Sequence, residues 1–158
     1  MTITCISPID GSAYATRETL SAQEAKTAVA RAKDAQRDWA ARPLAERIKL
    51  VQAGVAAVGA MNDDIVPELA WQMGRPIRYG GEFGGFNERA SHMATIAKDA
   101  LADIVVEDSE AFRRVIKRVP HGTVLVVAPW NYPYMTAINT VAPALIAGNS
   151  VMLKHASQ

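Results

Sequence analysis

The stretch that decides the fold runs from Val124 to Lys154 and reads VLVVAPWNYPYMTAINTVAPALIAGNSVMLK. Residues 124–128 form a continuous apolar run, which is typical of a strand buried on both faces of a parallel sheet. A helix is predicted from about Tyr134 to Ala147, and residues 151–153 form a second short apolar strand. Strand, helix and strand in this order predict the first building block of a doubly wound α/β sheet.

The sequence before residue 103 is rich in alanine and has the three-to-four-residue apolar spacing of helices that bury one face. Ser21 and Glu24 form a capping box at the start of the first helix. We expect Asn62 to cap the third helix, Gly74 to end it and Pro67 to kink it. Four helices are predicted, over residues 21–41, about 43–58, 62–74 and about 82–102.

Two β-branched runs follow the helices and predict a hairpin. They cover residues 104–107 and 112–119, on either side of a short polar turn. The chain therefore divides into a helical part (1–102), a hairpin (103–120) and the beginning of a parallel sheet (121–158). Two parallel strands leave apolar edges without neighbours, so we expect the chain to be incomplete relative to its fold.

Composition and charge argue against several functional classes. The 158 residues are 49% hydrophobic and 21% charged, which is the balance of a soluble globular protein. A net charge of +1 gives no attraction to nucleic acid or to an anionic membrane. We see neither a secretory signal nor an apolar run approaching the ~20 residues of a membrane span. The one cysteine, Cys5, belongs to no motif and is expected to be a small packing residue. We expect a cytoplasmic protein.

A short turn directly after the apolar strand is the first candidate for chemistry. Ligands on doubly wound sheets bind outside the carboxyl ends of strands, and residues 128–133 lie there. Pro129 and Pro133 fix the backbone around Trp130 and Asn131, and a fixed amide donor is what a developing oxyanion requires. On these residues alone a rigid, aromatic-packed turn is the commoner explanation, because prolines are frequent in turns.

The wider string resembles the N-terminal portion of the aldehyde dehydrogenase superfamily. Ala128–Pro133 matches the family's proline-tryptophan-asparagine-aromatic-proline turn, and Ala142–Lys154 matches its helix ending in alanine-glycine-asparagine and its strand ending in lysine. Weaker agreement extends upstream through Arg42–Arg47 and Met73–Pro76. The resemblance implies an α/β fold with an N-terminal helical layer, a projecting hairpin and the start of a Rossmann-like NAD(P)-binding sheet. It also implies that the catalytic domain is absent from this chain.

The resemblance implies roles for individual residues. Asn131 corresponds to the asparagine that stabilises the thiohemiacetal oxyanion, and Lys154 corresponds to the lysine that contacts the adenosine ribose. His155 stands where the family often has proline, and it either faces the ribose or, more commonly for such a residue, is solvated. The segment that lines the cofactor cleft corresponds to Val127, Ala128, Pro129, Trp130 and Asn131.

Position 157 bears on the choice of cofactor. Members that prefer NAD often carry a glutamate there, which binds the ribose hydroxyls, whereas this chain has Ser157. A carboxylate would repel a 2′-phosphate, and a serine near Lys154 would accept one. Between NAD and NADP, we therefore expect NADP to be tolerated or preferred.

The family mechanism needs groups that this chain does not carry. A cysteine thiolate attacks the aldehyde and a glutamate acts as general base, and both lie downstream of the asparagine turn. The resemblance implies oxidation of an aldehyde, a semialdehyde among the candidates, to a carboxylic acid, and no turnover by this chain alone. It places part of the substrate-tunnel wall near Phe86 and residues 132–135. A truncated, non-catalytic paralogue that binds a partner or dimerises is the alternative.

The hairpin at 103–120 resembles the family's oligomerisation arm. This resemblance implies a homo-oligomer, a dimer or tetramer, in the full-length protein. An ordinary surface hairpin is the alternative. Exposed edges on such a hairpin favour association.

Two further clusters are expected to be structural. Gly80–Gly85 is rich in glycine, but no strand precedes it and no Gly-Lys-Ser/Thr follows, so we interpret it as a flexible helix start rather than a phosphate loop. Glu82, Glu88 and His92 match no metal-site spacing and are expected on a solvated helix face. We predict no metal site.

Overall fold

The computed structural model describes residues 2–156. A short 3₁₀ turn (Ile77–Tyr79) precedes the fourth helix. In chain order the elements are β1 (Thr2–Ile6), β2 (Ala13–Glu18), α1 (Ala22–Ala41), α2 (Leu44–Ala60), α3 (Asn62–Met73), α4 (Phe83–Ala100), β3 (Ile104–Asp108), β4 (Arg113–Ile116), β5 (Thr123–Val127), α5 (Pro133–Ile146) and β6 (Ser150–Lys154).

The parallel pair β5–β6 is the unit that positions the site. Its register runs from Thr123 opposite Ser150 to Val127 opposite Lys154, and α5 makes the crossover between the two strands. One further ladder bond, from the Ala128 N–H to the Lys154 carbonyl at 3.0 Å, extends the pairing beyond β5. The predicted strand–helix–strand unit and the α/β fold class are confirmed.

The N-terminal hairpin β1–β2 was not predicted, so the helical part assigned to residues 1–102 begins with two strands rather than with a helix. Alternating burial is weak along these strands, and Cys5 and Ser7 are the buried residues in this part of the chain. The turn was the available signal, because Pro8 and Gly11 are turn formers and Gly11 has a φ of 76°. The burial of Cys5 agrees with a packing role.

The helix boundaries follow local signals closely. The capping box is present, since the Glu24 N–H donates to the Ser21 hydroxyl at 3.2 Å and the Ser21 N–H donates to the Glu24 carboxylate at 2.8 Å. Gly74 ends α3 in the left-handed conformation, with a φ of 75°. The expectation for Asn62 is wrong: Met61 is the capping residue, and Asn62 is the first helical residue with no side-chain cap bond.

The core lies between α2, α4 and α5. Ala90, Ala94 and Ala97 recur at helical spacing on one face of α4, and their small side chains leave room for α5 to approach. Ala142 of α5 is fully buried and Ile146 is 2% exposed. Packing of α5 against this layer fixes one face of the sheet. In the described part of the chain no helix is long and apolar enough to cross a bilayer.

The sheet β5–β6 is more exposed than expected, and the hairpin β3–β4 is shorter. Val126 is buried, but Leu125 and Val127 are each 66% exposed, so the prediction that β5 is buried on both faces is wrong for this chain. The physical reason is that α5 covers one face of the sheet β5–β6, whereas only part of α1 covers the other face. Strand β4 ends at Ile116, earlier than predicted, and Val119 is 73% exposed.

Candidate functional site

The segments that follow β5 and β6 lie at one edge of the sheet. Val127 pairs with Lys154 at the carboxyl ends of the two parallel strands. The turn at residues 128–132 leaves β5 at this edge, and residues 155–156 leave β6 beside it. This is the edge at which doubly wound sheets bind ligands.

A largely apolar groove of about 460 Å³ opens beside this edge. Trp130 and Tyr134 line it from the turn and α5, and Phe86 lines it from α4. Leu153 and His155 line it from the end of β6, and α3 closes another side. A concave, mostly apolar site with few polar groups is typical of small-molecule binding.

Two of the residues expected at the cofactor cleft lie on the other side of the sheet. Successive side chains of a strand point to opposite faces, and Leu153 and His155 face the groove. The intervening Lys154, and Val127 beside it, therefore point away, toward the face where Met152 lines a separate cleft against α1. Both are exposed. The structure thus brings Ala128 and Trp130 into the groove and leaves Val127 and Lys154 outside it.

Asn131 is fixed by its backbone and free at its side chain. Its carbonyl accepts a hydrogen bond of 2.7 Å from Nη2 of Arg75. The residue is exposed, and among residues 2–156 no hydrogen bond to its side-chain amide is found. The structure therefore presents an uncommitted amide donor on a held backbone, at the carboxyl edge of β5.

Glu82 is buried, although the sequence predicted it to be exposed. The sequence placed it on a solvated helix face with Glu88 and His92, which are exposed, but Glu82 itself is only 5% exposed. Its Oε1 accepts from Nη1 of Arg75 at 2.7 Å, and its Oε2 accepts from the Met135 N–H at 2.7 Å. Within the described residues, no group of three or more acidic, histidine or cysteine side chains has the geometry of a metal site.

The role of Arg75 in this site was not predicted from the sequence. Its guanidinium lies 4.6 Å from the centre of the Tyr132 ring while it bonds both Glu82 and Asn131. The sequence offered only a weak signal, an arginine beside the Gly74 helix end and a glutamate where α4 begins. Their pairing depends on the chain reversal between α3 and α4.

Tyr134 contributes an uncharged phenol to the groove wall. Burial raises the pKa of this phenol, and the negative charges of Glu68 and Glu82 raise it further. A phenol is protonated at neutral pH even without this shift, so its hydroxyl offers a hydrogen bond rather than a charge. Ser157, on which the NADP expectation depends, lies outside the described residues.

Comparisons with known proteins agree with this architecture. Residues 1–158 match the model of the aldehyde dehydrogenase family. The chain is similar to 3-sulfolactaldehyde dehydrogenase of Pseudomonas putida, at 30% identity over 99% of this chain and 32% of the relative. It is also similar to succinate-semialdehyde dehydrogenase (NADP(+)) of Mycobacterium avium, at 31% identity over 99% of this chain and 34% of the relative.

A solved structure gives the same result for the fold. The NAD-dependent benzaldehyde dehydrogenase from Corynebacterium glutamicum superposes with a TM-score of 0.89 and 29% identity, covering 99% of this chain and 34% of that one. The chain thus spans about a third of the length of the relatives that it matches. On the family match and the identity to these relatives, the chain belongs to the aldehyde dehydrogenase family.

Proposed function

We propose that this chain is the cofactor-side portion of an NAD(P)-dependent aldehyde dehydrogenase that oxidises an aldehyde to a carboxylic acid. The observation that carries the proposal is the Asn131 side chain, an exposed amide with no hydrogen-bond partner among residues 2–156, on a backbone held by Arg75. Membership of the family and the apolar groove beside the turn support it.

Asn131 has a defined task in this proposal. A cysteine thiolate, supplied by a part of the protein outside this chain, adds to the aldehyde carbon, and the carbonyl oxygen gains negative charge. The Asn131 amide donates a hydrogen bond to that oxygen. A donor already aimed at the developing charge needs no reorganisation during the reaction, and one such donor is worth about 10²–10³ in rate.

The same edge of the sheet is the proposed cofactor site. A nicotinamide cofactor bound here would supply the hydride acceptor for oxidation of the aldehyde. The residues present fit this group, because Lys154 is an exposed cation for a ribose or phosphate and Val127, its partner in the parallel pair, lies beside it. Both cofactors occur among the similar proteins, which include an NADP(+) and an NAD-dependent enzyme.

Ser157 favours NADP in this proposal, because it removes the carboxylate that would repel a 2′-phosphate. Titration of both cofactors against the polypeptide of the complete reading frame tests the preference. We expect NADP to bind at least as tightly as NAD. A dissociation constant for NAD that is at least tenfold lower than that for NADP, a difference of roughly 1.4 kcal/mol, would contradict this preference.

The experiment for the overall function compares two polypeptides. The product of the complete reading frame, incubated with a panel of aldehydes and semialdehydes, is expected to reduce NAD(P) and release the carboxylic acid. The 158-residue chain alone is expected to show no turnover. Turnover by the short chain, or its absence in the complete product with every aldehyde and both cofactors, would contradict the proposal.

A non-catalytic binding or dimerisation module is the second candidate. The hairpin β3–β4 favours it, because its apolar side chains are exposed: Val106 is 61% exposed and Ile116 56%. A reading frame that stops at residue 158 would support this candidate. One that continues through a cysteine and a glutamate in family context would support the enzyme.

Assembly and location complete the proposal. We propose that the full-length protein is a homo-oligomer, a dimer or tetramer, in which β3–β4 serves as the assembly arm and offers its unpaired strand edges to a neighbouring copy. Analytical ultracentrifugation checks the mass, and a monomer at micromolar concentration would contradict the proposed assembly.

We propose a cytoplasmic location, which cell fractionation tests.

A further inference from the structure

We propose that Arg75 and Glu82 are positioning residues that set where α5 begins and thereby hold Asn131 in its working orientation. The functional half of this inference rests on the proposed oxyanion role of Asn131. The structural half stands on contacts alone and is tested separately below.

The ion pair takes the place of one helical hydrogen bond. In an α-helix the Met135 N–H would donate to the carbonyl of Asn131, four residues earlier. Here the Met135 N–H donates instead to Glu82 Oε2 at 2.7 Å, and the Asn131 carbonyl accepts from Arg75 Nη2 at 2.7 Å. The N–H of Met135 and the carbonyl of Asn131 are thus each bound by one member of the same ion pair. Helix α5 starts at Pro133, which suits the first helical position, so the ion pair and this proline act together and Asn131 remains outside the helix.

Burial makes this arrangement resistant to rotation. The Arg75 and Glu82 side chains are 13% and 2% exposed, and the bond between them is 2.7 Å long. Charge-assisted hydrogen bonds are stronger than neutral ones, and a low dielectric strengthens them further. The carboxylate also lies at the positive end of the α5 dipole, which favours it there. Turning the Asn131 backbone would separate buried charges from their partners.

The Tyr132 ring adds a contact on the other side of Asn131. The Arg75 guanidinium lies over that ring at 4.6 Å, so Arg75 contacts both residues of the Asn131-Tyr132 pair. Arg75 and Glu82 themselves line a small separate cavity and are not among the groove-lining residues. Both therefore act through the backbone of the turn, and we class them as positioning rather than catalytic residues.

Amide hydrogen exchange of Met135 in the 158-residue chain tests the structural half. Its N–H lies in the first helical turn, so Glu82 is its hydrogen-bond acceptor. Glu82→Gln should speed exchange at Met135 by about tenfold or more, since the single oxygen of glutamine cannot serve both Arg75 and Met135. The double variant R75M/E82M, which removes both buried charges and leaves no oxygen at position 82 to accept from the Met135 N–H, should do the same and covers the case in which E82Q misfolds.

The matched control is R78M/E88M. Arg78 lies over the ring of the neighbouring Tyr79 and donates to its hydroxyl at 3.2 Å, and Glu88 is exposed on α4. This control should leave exchange at Met135 unchanged. Exchange at Met135 that is equal in the native chain and in R75M/E82M would overturn the inference.

Steady-state kinetics of the complete polypeptide test the functional half. Arg75→Lys keeps the charge but lacks the fork that bonds Glu82 and Asn131 at once, so we expect kcat to fall about tenfold or more while the cofactor KM changes little. Faster exchange at Met135 with an unchanged kcat would overturn the positioning role. An unmodified complete polypeptide without activity would count against the proposed function instead, and the exchange result would still decide the structural half.

Discussion

Helix α5 is held in two different ways along its length. Its body is held by apolar packing, with Ile138 and Ile146 at 5% and 2% exposure against α2 and α4. Its start is held by charge, through Glu82 on the Met135 N–H and Arg75 on the Asn131 carbonyl. Apolar packing is non-directional, whereas hydrogen bonds have a required geometry. The body therefore supplies stability, and the start supplies the direction of the Asn131 turn.

The largest effect is expected from Arg75→Met at the charged start. It leaves the Glu82 carboxylate buried and uncompensated, which costs about 3–5 kcal/mol of unfolding free energy. Urea denaturation of the 158-residue chain measures the loss. The double variant R75M/E82Q removes the buried charge and should recover most of it. Equal losses in the single and double variants would show that the cost of R75M does not come from an uncompensated buried carboxylate.

Ile146→Ala instead weakens the apolar packing that holds the body of α5. Removing a side chain that is 2% exposed should cost about 2–5 kcal/mol through lost burial and a residual cavity. The matched control is Ile96→Ala on α4, where the side chain is 39% exposed and the cost should be about 1 kcal/mol or less. Urea denaturation measures both.

The I146A variant also tests whether the body and the start of α5 act independently. In NMR spectra, I146A should leave the Asn131 side-chain amide resonances in place, whereas R75M/E82Q should move them. If I146A moves them equally, direction and stability are not separable along α5.

The smallest effect concerns another charged helix start, the exposed capping box of α1. The backbone N–H of Ser21, and then its side chain, lower the pKa of Glu24. A lowered folded-state pKa means that the stabilisation is present above the unfolded pKa and is lost as pH falls through the folded value. Glu24→Gln should therefore flatten the acid limb of a stability-against-pH curve slightly. An identical acid limb in E24Q and the native chain would contradict this.

Local signals explain what the sequence predicted and tertiary contacts explain what it missed. The capping box at Ser21 and the end of α3 at Gly74 each depend on neighbours within a few residues. The burial of Glu82 depends instead on α5, about fifty residues away. The exposure of Val127 likewise depends on which elements cover the sheet, which no periodicity within the strand records.

The kcat of Asn131→Ala in the polypeptide of the complete reading frame tests the central claim most directly. An oxyanion donor acts on the transition state, so the account predicts a fall in kcat of about 10²–10³ with the cofactor dissociation constant changed little. Asn139→Ala on α5, an exposed asparagine that accepts from Arg89, is the control and should change neither. A kcat in N131A within a factor of a few of the native value would contradict the account.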